Sequence, residues 1–231
     1  MNEQFRVAHK LGLMFRPETP LPEDIKTWAI SQLNAKSPAL GIKSFKSMNP
    51  DIKEWPRELQ PNLKKRAEMW TLYRENRKKE REKIDGQDSA AAKTANEEKN
   101  LMGRKDSLKF SHRNVYGQDQ IKIRFMNFWA NHFTTGNIHD NQNVIGHLID
   151  EAILANLNSS FSEMLYKVTS HPSMLIYLDN IWSSGEDSVE TREQRRNGRQ
   201  AGLNDNLGRE LLELHSVSPS AKYSETDIRN A

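Results

Sequence analysis

The chain has 231 residues, of which 28% are charged, a net charge of +3 and no cysteine, which excludes disulfides and thiolate chemistry and leaves cytoplasm and periplasm both open. Its length suits one large domain or two small ones, and a mean hydropathy of −0.84 assigns part of that length to solvated helix surface or loop. No apolar run approaches the ~18 residues that span a bilayer, so no membrane insertion is expected.

In chain order the pattern is helical with almost no strand signal, and it predicts an all-α protein, an irregular multi-helix bundle with long polar loops. The N-terminal MNEQFRVAHKLGLMF carries Glu3 and a broken apolar run where a secretory signal would be continuous, and it reads as domain sequence. Pro22, Glu23 and Asp24 open a helix whose Ile25, Trp28, Ala29 and Leu33 share a face. Ser37 to Pro61 is irregular, broken by Pro38, Gly41, Pro50 and Pro56, with Phe45, Met48 and Trp55 expected to patch the core from outside. Pro61 begins another helix with the stripe Leu63, Ala67, Trp70 and Tyr73. That stripe dissolves into charge: Lys64 to Lys83 holds nine Lys or Arg against four Glu, a net of +5. A solvated helix face is the expectation there and a phosphate-binding stripe the alternative. No aromatic interleaves Arg74 to Lys83 for base stacking, so nucleic acid is not the expected partner. Residues 85–117, with the Ala-rich DSAAAKTANEEK, read as a linker or helix extension. The chain thus divides into an N-terminal helical region (1–84), that charged segment (85–117), and a motif-bearing helical region (118–231).

The third region is dense. Ile121, Phe125, Phe128, Trp129 and Phe133 recur at helical spacing and predict a buried stripe ending near Gly136, with His132 on the same face and Asn131 and Asn127 placed to satisfy a neighbouring helix end. Asp140 or Asn141 is expected to cap a helix bearing Val144, Ile145, Leu148, Ile149, Ala152 and Ile153. Ser160 and Glu163 form a capping box before Phe161, Met164, Leu165 and Val168. Pro172 starts the next helix with His171 as its cap, and Asp179-Asn180 ends it. Ser183 to Gly202 reads as a polar surface loop, and Ser224 with Asp227 mimics a capping box.

Between these lies GLNDNLGRELLELHS, Gly202 to Ser216, which crowds titratable side chains onto one short helix. At α-helical spacing Asn206, Glu210 and Glu213 share a stripe, Leu207, Leu211 and Leu214 the adjacent one, and Arg209 a flank. Two accounts follow. Arg209 can pair with Asp205 and Glu213 in a salt-bridge lattice that locks the helix. Alternatively Glu210 and Glu213, with His132, His171 or His215 from the surroundings, hold a divalent metal or act as a carboxylate acid/base site. Neither His-Glu-x-x-His nor Glu-x-x-His is present, nor any Gly-rich phosphate loop or Gly-x-Ser-x-Gly elbow.

FWANHF (Phe128 to Phe133), HPSMLIYLDN (His171 to Asn180), the NDN-LGRELLELH run and YSETDI resemble, in order and spacing, the bacterial family called domain of unknown function 1800. The resemblance covers Gln118 to Ala231, and Phe5 to Pro17 loosely. Asp205, Leu207 and Gly208 depart from the family's usual Asn-Glu-Asn, aromatic and Ala, and Val217-Ser218 stands where a Leu-Gly turn is usual. It implies a mostly helical bacterial domain without an established activity, often exported in its relatives, with a pattern that runs on into a Thr-Gly-Trp motif and a further helical part. The functional expectation is a noncatalytic packing or protein-partner-binding module. The alternatives are a metal-dependent or carboxylate-based hydrolytic site at Glu210 and Glu213, and weak nucleic-acid binding through 64–83.

Overall fold

A computed structural model describes residues 3–12, 23–34, 61–82, 90–117, 119–138, 141–198 and 201–230. The irregular segment with Phe45, Met48 and Trp55, and Asp140 as a cap, lie outside them. Among the described residues the chain is all-α: α1 Glu3–Leu11, α2 Ile25–Asn34, α3 Leu63–Glu82, α4 Ala90–Tyr116, α5 Gln120–His132, α6 Ile145–His147, α7 Phe161–Thr169, α8 Pro172–Tyr177, α9 Val189–Arg196, α10 Asn206–Glu210 and α11 Glu225–Asn230. Both α6 and α10 run on without a break into π-helical turns, Leu148–Ile153 and Leu211–Ser216. No helix among the described residues is long and apolar enough to cross a membrane.

The core sits in the third region. Phe133, Leu148, Ala152, Ile153, Met164, Val168, Met174 and Leu178 bury against one another, with Trp129, Leu165, Tyr177 and Leu207 half-buried around them. Apolar burial at about 25 cal/mol per Å² makes this cluster the main stabilising element. Short connections hold it together. Ser160 accepts from the Glu163 N–H while the Glu163 carboxylate accepts from Ser160, the expected capping box of α7. His171 caps α8 with Nδ1 accepting from the Ser173 N–H, and Pro172 occupies the first turn, where its missing N–H has no consequence.

Several expectations need correction. In α5 the buried residues are Gln120, Ile121, Ile123 and Met126, whereas Phe125 and Phe128 are 47% and 58% exposed. Apolar residues spread over more than half of this helix, so periodicity alone could not choose its inner face. Packing on α4 and the first π turn turned Ile123 and Met126 inward. Phe161, expected to face inward, is exposed. Asn141 caps nothing: it is buried in a 3-10 turn, Asn141–Asn143, with Nδ2 donating to the Gly136 carbonyl, and α6 starts from Val144 with no side-chain cap. The polar stretch 183–202 contains α9, which Ser188 caps by accepting from the Thr191 N–H. Buried Thr191 donates to the Gly185 carbonyl and anchors that helix without an apolar stripe.

On α3 the most buried of the described side chains is Arg66, 1% exposed, while Ala67 of the expected stripe is exposed. Residues 90–116, expected as linker or helix extension, form a helix of 27 residues that packs along α3 and against the 141–147 segment. Its C-terminal half buries Met102, Asp106, Lys109, His112 and Arg113.

The Ser224–Asp227 capping box forms at the start of α11. That helix presses on α10 where Gly208 stands, and a Cβ there would overlap the Ile228 carbonyl oxygen. Backbone cannot yield as a side-chain tip can. Gly208→Ala is therefore expected to cost about 1–3 kcal/mol by overpacking, read as a fall in denaturation midpoint, although alanine is the better helix former. An unchanged midpoint would show that α11 can move aside.

Candidate functional site

The titratable side chains fall into two groups. The first lies around α10. Arg209 reaches Asp205 at 3.5 Å, Glu213 at 3.6 Å and Glu225 of α11 at 3.0 Å. The two i,i+4 pairs follow from helix spacing, and Glu225 adds a tie between two elements. All are partly solvated, Arg209 at 36% of its side chain and Glu225 at 68%, so each pair contributes modestly. Burial and then the Glu213 carboxylate push the Tyr223 phenol up. Glu210 is half-buried and has no ion pair or hydrogen bond among the described residues. Asn206 is half-buried, its N–H held by the Asn204 side chain, and Asn131 is exposed. Asn127 donates to Asn114 of α4.

After Glu210 the chain takes the π turn, whose i→i+5 bonding advances less angle per residue than an α-helix. The leucine stripe breaks as a result. Leu214, on the stripe with Leu207 and Leu211 at α-helical spacing, is 61% exposed, and His215 swings in to 6%. The His215 ring packs edge-on to Phe133 at 5.5 Å, and its carbonyl lies 3.2 Å from His132 Nε2. Burial, and then the neighbouring His132, push the His215 imidazole below its ordinary value, which favours the neutral ring.

The second group joins α3, α4 and α6. Arg66 grips Asp106 with both terminal nitrogens, at 2.5 and 3.0 Å, and also donates to the Asn143 and Pro61 carbonyls. Asn143 answers by donating to the Arg66 carbonyl at 2.9 Å. One turn further along α4, Lys109 and Arg113 both pair with Asp150 of the first π turn. Burial pushes the Asp150 carboxyl up, but the Lys109 ammonium and Arg113 guanidinium outweigh it and hold the group below the carboxylate range. Gly146 makes this closeness possible, since a Cβ there would overlap the Asp106 carboxylate. Beside Arg66, His147 Nδ1 and His171 Nε2 lie 3.0 Å apart. His171 Nδ1 already accepts from Ser173, so its Nε2 carries the proton and donates to His147. Burial, His147 and Arg66 push His171 down to about 4.

The histidines expected at one site thus belong to two pairs, His132 with His215 and His171 with His147. Among the described residues no three His, Asp or Glu side chains converge as metal ligands. Of the basic run on α3, Lys64, Lys65, Arg74, Lys78 and Lys79 are exposed, and the Arg74 guanidinium lies over the Trp70 ring at 4.7 Å. Sequence reasoning missed Arg66, Asp106, Lys109, Arg113, His147 and Asp150. The available signal was that Met102, Asp106, Lys109 and Arg113 fall at intervals of four, three and four, a core spacing filled by charge.

These features define a helical protein in which charged side chains, including those of its densest motif, tie helix to helix. The chain belongs to the DUF1800 family, described as protein of unknown function, whose model matches residues 19–231. No curated protein and no solved structure matches it.

Proposed function

We propose that this chain is a noncatalytic helical module whose polar motifs organise its own packing and which presents an aromatic surface to a protein partner. The observation that carries the reading is the fate of the charges in NDN-LGRELLELH: Arg209 clasps Asp205, Glu213 and Glu225, and Glu210 contributes to no cluster among the described residues. A catalytic carboxylate needs a partner that tunes it or a substrate cleft that it lines. Beside this helix, Phe128 of FWANHF and Phe161 of α7 are both exposed and both touch half-buried Trp129, with ring centroids at 5.0 and 5.7 Å. Exposed aromatic clusters of this kind are enriched where proteins meet.

Two measurements test it. Glu210→Ala, which removes no ion pair or hydrogen bond seen among the described residues, should leave the melting temperature within about 1 °C, and should leave the metal content of protein purified without chelator unchanged. Stoichiometric metal in the parent that disappears with Glu210→Ala would replace this reading with a metal site. A photo-crosslinking residue at Phe128 should give a discrete protein adduct in cells, while one at exposed Lys78 should not. Equal labelling from both positions would sink the partner surface.

A further inference from the structure

Between α4 and the 141–153 segment lies a half-open cavity of about 770 Å³. Its wall carries five charged groups, Arg104, Asp106, Lys109, Arg113 and Asp150. Arg66, just behind Asp106, belongs to the same ionic cluster. Three of the cations are almost wholly buried, Arg66 at 1%, Lys109 at 4% and Arg113 at 5%, and they face two carboxylates. Within this cluster the cations outnumber the carboxylates by one, because Lys109 and Arg113 share Asp150. A carboxylate shared by two buried cations leaves room for a further group of opposite sign.

The unused donors lie with the same side chains. Lys109 has three N–H donors and gives one hydrogen bond among the described residues, to Asp150. Arg113 gives Nη1 to Asp150 and to the Met126 sulfur, and its buried Nε has no acceptor. Arg104 lines the same cavity, is exposed, and has no ion pair among the described residues. Phe110, Ile145 and Ile149 give the cavity an apolar wall, and Ser111 and Asn137 add polar groups. The volume falls in the range of small-molecule sites, which combine apolar lining with a few convergent polar groups.

We propose that this cavity binds a small organic anion, a carboxylate or a phosphate ester, with its charged group against Lys109 and Arg113 and its body along Phe110, Ile145 and Ile149. Arg104 at the rim draws the anion in. Both acceptor types suit an ammonium beside a guanidinium. The site is separate from the α10 motif and goes beyond the partner-binding reading, because it is built by α4 and the first π turn.

Thermal shift and calorimetry on the full chain at matched ionic strength test this, with glucuronate, glucose 6-phosphate, inorganic phosphate and neutral glucose as probes. Saturable stabilisation by glucuronate and not the phosphates would assign a carboxylate ligand, and the reverse a phosphate. Response to both with none to glucose would support anion recognition in general. Arg104→Glu, at an exposed position where folding is unaffected, should weaken binding by about tenfold or more. Arg113→Lys, which keeps the charge and loses the planar guanidinium fork, should weaken it as well. No response to any anion up to about 10 mM, a value well above the affinity of a built site, would overturn the proposal. So would equal response to glucose, or binding untouched by Arg104→Glu. None of these outcomes bears on the Phe128 surface, so the two readings fail separately.

Discussion

Arg66→Met should cost about 3–5 kcal/mol, the usual result of removing one partner of a buried ion pair, which for a chain of this size is roughly 6–20 °C of melting temperature. The methionine keeps most of the apolar stem and removes the guanidinium. Asp106, whose side chain is 6% exposed, then has no counter-charge, and the Pro61 and Asn143 carbonyls lose their donor. Three elements loosen at once, because Arg66 ties α3 to α4 and to the turn that precedes α6. The double variant Arg66→Met/Asp106→Ala should lose less than the two single losses added together, by about 1 kcal/mol or more, since removing both charges leaves neither stranded. Chemical denaturation of the four proteins measures this coupling. Strict additivity would mean that the pair contributes nothing as a pair.

Lowering the pH from about 6.5 to about 4 should destabilise the protein by up to about 3 kcal/mol through His171. Its folded value is pushed to about 4 by burial, by His147 and by Arg66. The unfolded chain therefore takes up a proton that the folded chain refuses. The contribution is fully present above the unfolded value, ~6.5, and shrinks as the pH falls toward the folded one. The geometry explains the refusal. A proton on His171 Nδ1 would meet the Ser173 N–H that it caps, and one on His147 Nδ1 would meet the His171 N–H. Burial also lowers His147 and His215, and both act in the same direction. Asp150 acts in the same direction over a lower window: its depressed carboxyl contributes above the ordinary carboxylate value, ~3.9, and that contribution is lost as the pH falls through the folded value. Melting temperatures from pH 7.5 to 4 should fall for the parent and fall less for His171→Asn, whose amide oxygen can still cap α8. Parallel curves would remove His171 as the cause.

Much of the third region was legible because its signals are local. Ser160 and Glu163 need only each other, Pro172 fixes its own φ, and Val144 to Ile153 carries one unambiguous apolar face. The helical class and the DUF1800 membership follow from that part of the chain. The charged interior was not legible, since Arg66 in a run of lysines looks like every other solvated cation until Asp106, forty residues away, is placed beside it. Phe125 and Phe128 misled for the opposite reason, as apolar residues at helical spacing on a helix with too many of them. The motif around Arg209 was read correctly in its i,i+4 pairs, because helix geometry sets those. α-helical spacing does not place Leu214 and His215, which lie past the point where that geometry changes.

That change has a plain consequence for chain length. A π turn holds one residue more per hydrogen-bonded loop than an α turn, so the helix from Asn206 to Ser216 is a residue too long for the distance that its ends must bridge. Its start is fixed by the Arg209 clasp and its end by His132 on the His215 carbonyl. The surplus is pushed outward as Leu214. Removing one residue there would shorten the stretch to ordinary α-helix between the same two anchors. An insertion has no comparable outlet, so this helix tolerates loss and gain of a residue unequally.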